Sequence, residues 1–163
     1  MPITLHANFD SEFESADGTY QTGGSYAEPG AYLAKVAVVK EGTTPNGATY
    51  IDLQWEVVSL VTGNATDQTG RTSNQTVWTT EKSMKHLAAL LKNLNIKVSD
   101  RQVFNPKVFV GRFGCIEVSE ESYTKKDGSV GTIKKVSMVI PPVDESLNKD
   151  FRDASSNEYD LPF

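Results

Sequence analysis

The run YIDLQWEVV, residues 50 to 58, alternates apolar and polar side chains with a period of two, just beyond an Asn-Gly pair. Such alternation fits a strand with one face on a core and one in water, because successive strand side chains point to opposite faces. Ile51, Leu53, Trp55 and Val57 form the inward set, and Asp52, Gln54 and Glu56 the outward one. Asn46-Gly47 supplies the positive φ angles of a tight hairpin turn. The preceding stretch GAYLAKVAVVKEG, residues 30 to 42, is therefore expected as the antiparallel partner, with Tyr32, Ala34, Val36 and Val38 sharing one parity.

Most of the remaining pattern is also strand-like. A polar loop containing DQTGRTSNQTVW leads into a third strand around Arg71 to Trp78. The period then changes, with Met84, Leu87, Leu90, Leu91 and Leu94 falling on one face. That spacing predicts an amphipathic helix of about 14 residues, with Thr80 as its cap and Glu81 at its positive end. VFVGRFGCIEVSEESY and VGTIKKVSMVIPP read as two more strands, joined through Asp127-Gly128, a second hairpin signal. Ile133, Val136, Met138 and Ile140 keep no strict parity, which predicts a bulge near Lys134 and Lys135. Pro141-Pro142 ends that strand. The expected fold is all-β with one helix: a five-stranded OB-fold-like barrel with the helix between strands 3 and 4. A small sandwich or another curled barrel gives nearly the same string.

Charge divides the chain of 163 residues into three parts. The formal net charge is −5, but residues 1 to 18 carry −4 and residues 144 to 163 another −4, leaving 19 to 143 at +3. The expected organisation is an acidic N-terminal arm over 1–28, a mildly basic nucleic-acid-binding domain over 29–143, and a flexible acidic tail over 144–163. MPITLHANFD does not read as a secretory signal, and no stretch approaches the roughly 18 apolar residues of a membrane span. A cytoplasmic location is expected, and a membrane is not an expected partner.

Catalytic signatures are sparse. His6 and His86 have no carboxylate or Cys placed to build a metal cluster, and no phosphate loop, dinucleotide fingerprint or nucleophile elbow occurs. No metal, no cofactor and no enzymatic activity are expected. Cys115, the single cysteine, reads as a small core residue. Binding chemistry is better supplied, because a non-specific single-strand groove needs cations for phosphates and flat rings for bases. The selected cations are Lys35, Lys40, Arg71, Lys107, Arg112, Lys125, Lys126, Lys134 and Lys135, and the selected rings are Trp78, Phe113 and Tyr123. Arg101, Tyr32, Tyr50 and Phe109 are further candidates, while Trp55, in phase with Ile51 and Leu53, belongs more naturally to the core.

The chain ends in EYDLPF, and Glu158, Asp160, Leu161, Pro162 and Phe163 resemble the C-terminal tip of bacterial single-stranded DNA-binding proteins. Tyr159 interrupts what is usually a denser acidic run. The resemblance implies that the terminal Phe and its carboxylate dock in a basic-rimmed pocket on replication, recombination or repair proteins, while the acidic residues compete with DNA. PGAYLAKVAVVKEG, YIDLQWEV, LLKNLNI and FVGRFGCIEVSEESYTKKDGSVGTIKKVSMVIPP are similar to phage-encoded single-stranded DNA-binding proteins of the OB-fold type. If so, the location is the host cell cytoplasm, and a homo-oligomer is compatible with the sequence. The competing expectations are a virion-associated or accessory structural protein that binds no nucleic acid, and a carbohydrate-binding or hydrolytic barrel, which the missing acid and base pair disfavours.

Overall fold

The computed structural model describes residues 3–14, 27–63 and 67–156. Its elements run α1 (Phe9–Glu14), β1 (Gly30–Thr43), β2 (Thr49–Thr62), β3 (Thr72–Trp78), α2 (Met84–Asn93), β4 (Ile96–Lys97), β5 (Phe113–Thr124), β6 (Val130–Ile140) and β7 (Arg152–Asp153). The period-two run forms as its pattern requires, with Ile51, Leu53, Trp55 and Val57 of β2 buried. β1 and β2 make the expected hairpin, with left-handed Gly47 in the turn. Tyr32, Ala34 and Val36 are buried as well. Val38 is not, because Val36 pairs with Trp55 and Val38 with Gln54, leaving Ala37 as an extra residue. Such a bulge reverses the facing of every later position, so Val39 packs toward the core in its place.

The five long strands form one antiparallel sheet in the order β3-β2-β1-β5-β6. β1, with 14 residues, serves two neighbours at once, pairing with β2 along its length and with β5 from Gly30 to Lys35. The expected barrel is not closed by hydrogen bonds. Among the described residues the edge strands β3 and β6 approach each other but share no ladder, and β3 offers only 7 residues of edge. A bulge lies close to the predicted place: Glu117 pairs with Met138 and Val118 with Val136, so the extra residue is Ser137.

α2 covers the core side of the sheet through Met84, Leu87, Leu90 and Leu91, and a 3-10 turn at Glu81–Ser83 supplies the first part of the predicted helix. Thr80 does not cap the backbone; its hydroxyl donates to Ser83 Oγ at 3.2 Å. Packing is close at Gly114, where an added Cβ would stand 3.0 Å from both Trp55 and Val139 of the sheet and 3.3 Å from Leu94 at the end of α2. The fourth predicted strand begins later than expected. Asn105 accepts from the Lys107 amide and Pro106 opens a 3-10 turn through Phe109, which buries Val108 and Phe109 outside the sheet.

Both predicted extensions need correction where they are described. Leu5 and Phe9 are buried, Ile3 bridges to Phe104, and α1 packs on α2, so residues 3–14 belong to the body. Their apolar side chains are scattered among acidic ones, which hid the pattern. The tail is likewise folded as far as Ser156. Asp144 caps a 3-10 turn at Glu145–Asn148, and β7 pairs in parallel with β4. Buried Asn148 holds both backbone groups of Phe113, accepting from its N–H at 2.9 Å and donating to its carbonyl at 2.6 Å. These contacts rest on a polar side chain and a two-residue strand, neither of which leaves a periodic signal.

Candidate nucleic-acid interface

The outer face of β1, β2 and β3 is a ribbon of aligned rows. Gly42, Tyr50 and Trp78 lie abreast, followed by Lys40, Asp52 and Thr76, then Val38, Gln54 and Asn74, then Lys35, Glu56 and Thr72. Rows on one face stand about 6.8 Å apart, so the ribbon is about 20 Å long. The β1 and β2 members of the rows end on Phe113, which pairs with Lys35 across the β1–β5 ladder. Rings therefore stand at both ends.

Tyr50 and Trp78 form the larger ring site, with centroids 5.2 Å apart and planes tilted by 55°. The Tyr50 ring lies directly over Gly42, where any Cβ would collide with it. A glycine is needed there for close approach rather than for an unusual φ. Trp78 keeps 37% of its surface exposed, whereas Trp55 is fully buried and donates from Nε1 to Gln75 Oε1 at 2.6 Å. Charge is sorted by strand across the ribbon. β1 contributes Lys35 and Lys40, β2 contributes Asp52 and Glu56, and β3 contributes Thr72, Asn74 and Thr76. Thr76 Oγ1 donates to Asp52 at 2.7 Å, which fixes the carboxylate on this face. Comparison with protein-family models and with curated proteins returns no match.

The remaining selected residues distribute unevenly. Lys107, exposed on the 3-10 turn that packs against β1, flanks the lysine strand. Arg71, exposed, stands one residue before Thr72 and near the Tyr32 hydroxyl. Tyr32 itself is buried and donates to the Glu28 carbonyl at 2.6 Å. Burial first, and Glu28 second, push its pKa up against the opposing effect of Arg71. Arg112 must be withdrawn as a phosphate contact. It is 1% exposed and directed to Asp150 at 3.4 Å, because its backbone continues the β1 edge at Val36 and turns the side chain inward.

Tyr123, Lys125 and Lys126 sit on the exposed β5–β6 hairpin, whose turn is held by Asp127 accepting from the Ser129 amide and hydroxyl. Those two bonds lower the Asp127 pKa. Tyr123 lies over Gly131. Lys134 and Lys135 are poorer contacts than the sequence suggests, since Lys134 binds Glu28 at 2.7 Å and Lys135 binds Glu121. Glu158, Asp160, Leu161, Pro162 and Phe163 lie outside the described residues.

A groove of about 430 Å³ at the C-terminal end of α2 includes Lys92, Asn93, Asn95 and the two prolines in its lining. Its amides are engaged with the backbone, Asn93 donating to Val139 and Asn95 to Asn148, and Lys92 donates to the Glu14 carbonyl. Cys115 is buried, and burial, with Glu117 nearby, raises its thiol pKa, which makes it a poor nucleophile. Among the described residues no group of three or more His, Cys, Asp or Glu is placed to hold a metal, and no helix is long and apolar enough to cross a membrane. Tyr50, in the sequence only a further candidate ring, stands opposite Trp78 because the Asn46-Gly47 hairpin is extended by a third antiparallel strand.

Proposed function

We propose that this chain is a non-catalytic single-stranded DNA-binding protein, acting in phage DNA replication, recombination or repair, with the strand lying along the outer face of β1, β2 and β3. The observation that carries the reading is the Tyr50–Trp78 pair, with Trp78 exposed and Tyr50 half-buried, set beside Lys40 on the same face. The sheet order and the helix after β3 support an OB-type arrangement, itself a partly open five-stranded barrel. In that arrangement the second and third strands and the loops 1–2 and 4–5 meet the ligand. Here these correspond to β2, β3, the turn at 44–48 and the turn at 125–129. Bases stack on the rings, and phosphates follow the β1 side past Lys40, Lys35 and Lys107. The hairpin lysines Lys125 and Lys126 provide a second cationic contact. Recruitment of replication, recombination or repair proteins rests on the resemblance of Glu158, Asp160, Leu161, Pro162 and Phe163 alone.

Titration of a fluorescent oligothymidylate at several salt concentrations tests the reading. Neutralising about four phosphates gives a slope of log K against log salt of about −3. Absence of binding at low salt refutes it. The structural-protein alternative draws support from the carboxylate partners of Lys134 and Lys135, which engage two of the cations expected to meet phosphates.

A further inference from the structure

Given the single-strand reading, on which this rests, we infer that Asp52 and Glu56 make the face grade bases by type, favouring cytosine over thymine. Carboxylates repel phosphates, yet two of them occupy the middle strand of the ribbon at alternate outward positions, each directly opposite a lysine of β1. The bland account is a pair of cross-strand charge contacts, which stabilise a sheet modestly. The layout has a second consequence, however. Since lysines lie on β1 and carboxylates on β2, a strand whose phosphates follow β1 holds its bases over β2 and β3.

Base edges then meet Asp52, Gln54, Glu56, Asn74 and Thr76. An ionised carboxylate only accepts hydrogen bonds, and it has room for several. Asp52 accepts from Thr76 at 2.7 Å and retains its second oxygen for a further donor. Cytosine presents an exocyclic N4 amino donor, whereas thymine presents a carbonyl acceptor at that position. Acidic side chains thus accept from cytosine and oppose thymine. The two pyrimidines are otherwise close in size, so stacking on Tyr50 and Trp78 discriminates little between them. The ring pair sets the base plane, and the adjacent Lys40–Asp52–Thr76 row reads its edge. Binding remains independent of base order and is graded by base content.

The test compares oligodeoxycytidylate, oligothymidylate and oligodeoxyuridylate of about ten nucleotides, within the span of one such site, on the full chain near neutral pH. Deoxyuridine removes the thymine methyl group as a variable. Cytidylate is expected to bind about fivefold or more tightly than either, the lower end of the discrimination available to a good base contact. Asp52→Asn and Glu56→Gln should both raise affinity for thymidylate, by removing repulsion, and bring the cytosine-to-thymine ratio close to one. Asn at 52 can still accept from Thr76, so the face is retained, and a thermal melt checks it. Equal binding of all three oligonucleotides overturns the inference while leaving single-strand binding intact. A cytosine preference unmoved by either variant overturns the assignment to these carboxylates. Failure of every oligonucleotide to bind overturns the underlying reading as well.

Discussion

Replacing Trp78 by alanine separates a ring that binds from a ring that only packs. Trp78 is 37% exposed and its covered part meets Tyr50 at a centroid distance of 5.2 Å. Loss of that pair costs about 0.5 to 1.5 kcal/mol of stability beyond the lost burial. A base stacked on the ring contributes about 1 to 3 kcal/mol, so Kd for a short oligonucleotide should rise about 5- to 150-fold. The assay is a fluorescence-anisotropy titration at low salt, paired with urea unfolding to correct for the folded fraction. Tryptophan emission supplies an internal control, because Trp55 is fully buried and only Trp78 can meet a base. Oligonucleotide quenching should therefore vanish in Trp78→Phe. Unchanged affinity per folded molecule in Trp78→Ala, with a marked fall in stability, would show that the ring serves packing alone.

Three further outcomes follow from other parts of the molecule. Gly114→Ala forces a methyl group against Trp55, Val139 and Leu94, and urea unfolding should report a loss of about 1 to 3 kcal/mol with oligonucleotide affinity per folded molecule unchanged. Burial alone pushes the Asp153 carboxyl up, but bonds from Ser99 and Ser155 together with Lys97 bring it below its ordinary value of 3.8. Its stabilising contribution is therefore complete above that value and is lost as pH falls toward the folded one. Melting temperature measured from about pH 5 downward should fall more steeply for the native chain than for Asp153→Asn. Deleting residues 158–163 should leave the melting temperature nearly unchanged and oligonucleotide affinity equal or modestly higher, since two carboxylates are removed. The deletion should abolish recovery of replication or repair proteins in a pulldown, and equal recovery would refute the tip reading.

What was legible in the sequence was what repeats with a period and what marks a tight turn. The β2 face and the apolar stripe of α2 follow from local periodicity and the two hairpin turns from Asn46-Gly47 and Asp127-Gly128, and each forms as read. Bulges were less legible. The shift at Ala37 moved Val38 to the outside, and nothing in a run of valines marks which residue will be skipped. Polar anchoring was not legible at all. Asn148 clamps Phe113 from 35 residues away, and an asparagine in an acidic segment looks like any solvated one. The same limit applies to the site. Arg112 and Phe113 read as a cation and ring offered together, yet successive positions diverge, and Arg112 is drawn inward while Phe113 lies beside Lys35. Lys134 and Lys135 found carboxylates distant in sequence or across a strand, which local composition does not disclose.

The most direct test of the central claim is ultraviolet cross-linking of the full chain to a short single-stranded oligonucleotide, with the attachment points located by mass spectrometry. The account predicts adducts at Tyr50 and Trp78, with Phe113 at the far end of the ribbon, all suppressed by high salt and by unlabelled competitor. Adducts confined to rings off this face, such as Phe151 beside Lys97, or no adducts under conditions where the chain is folded, would contradict it.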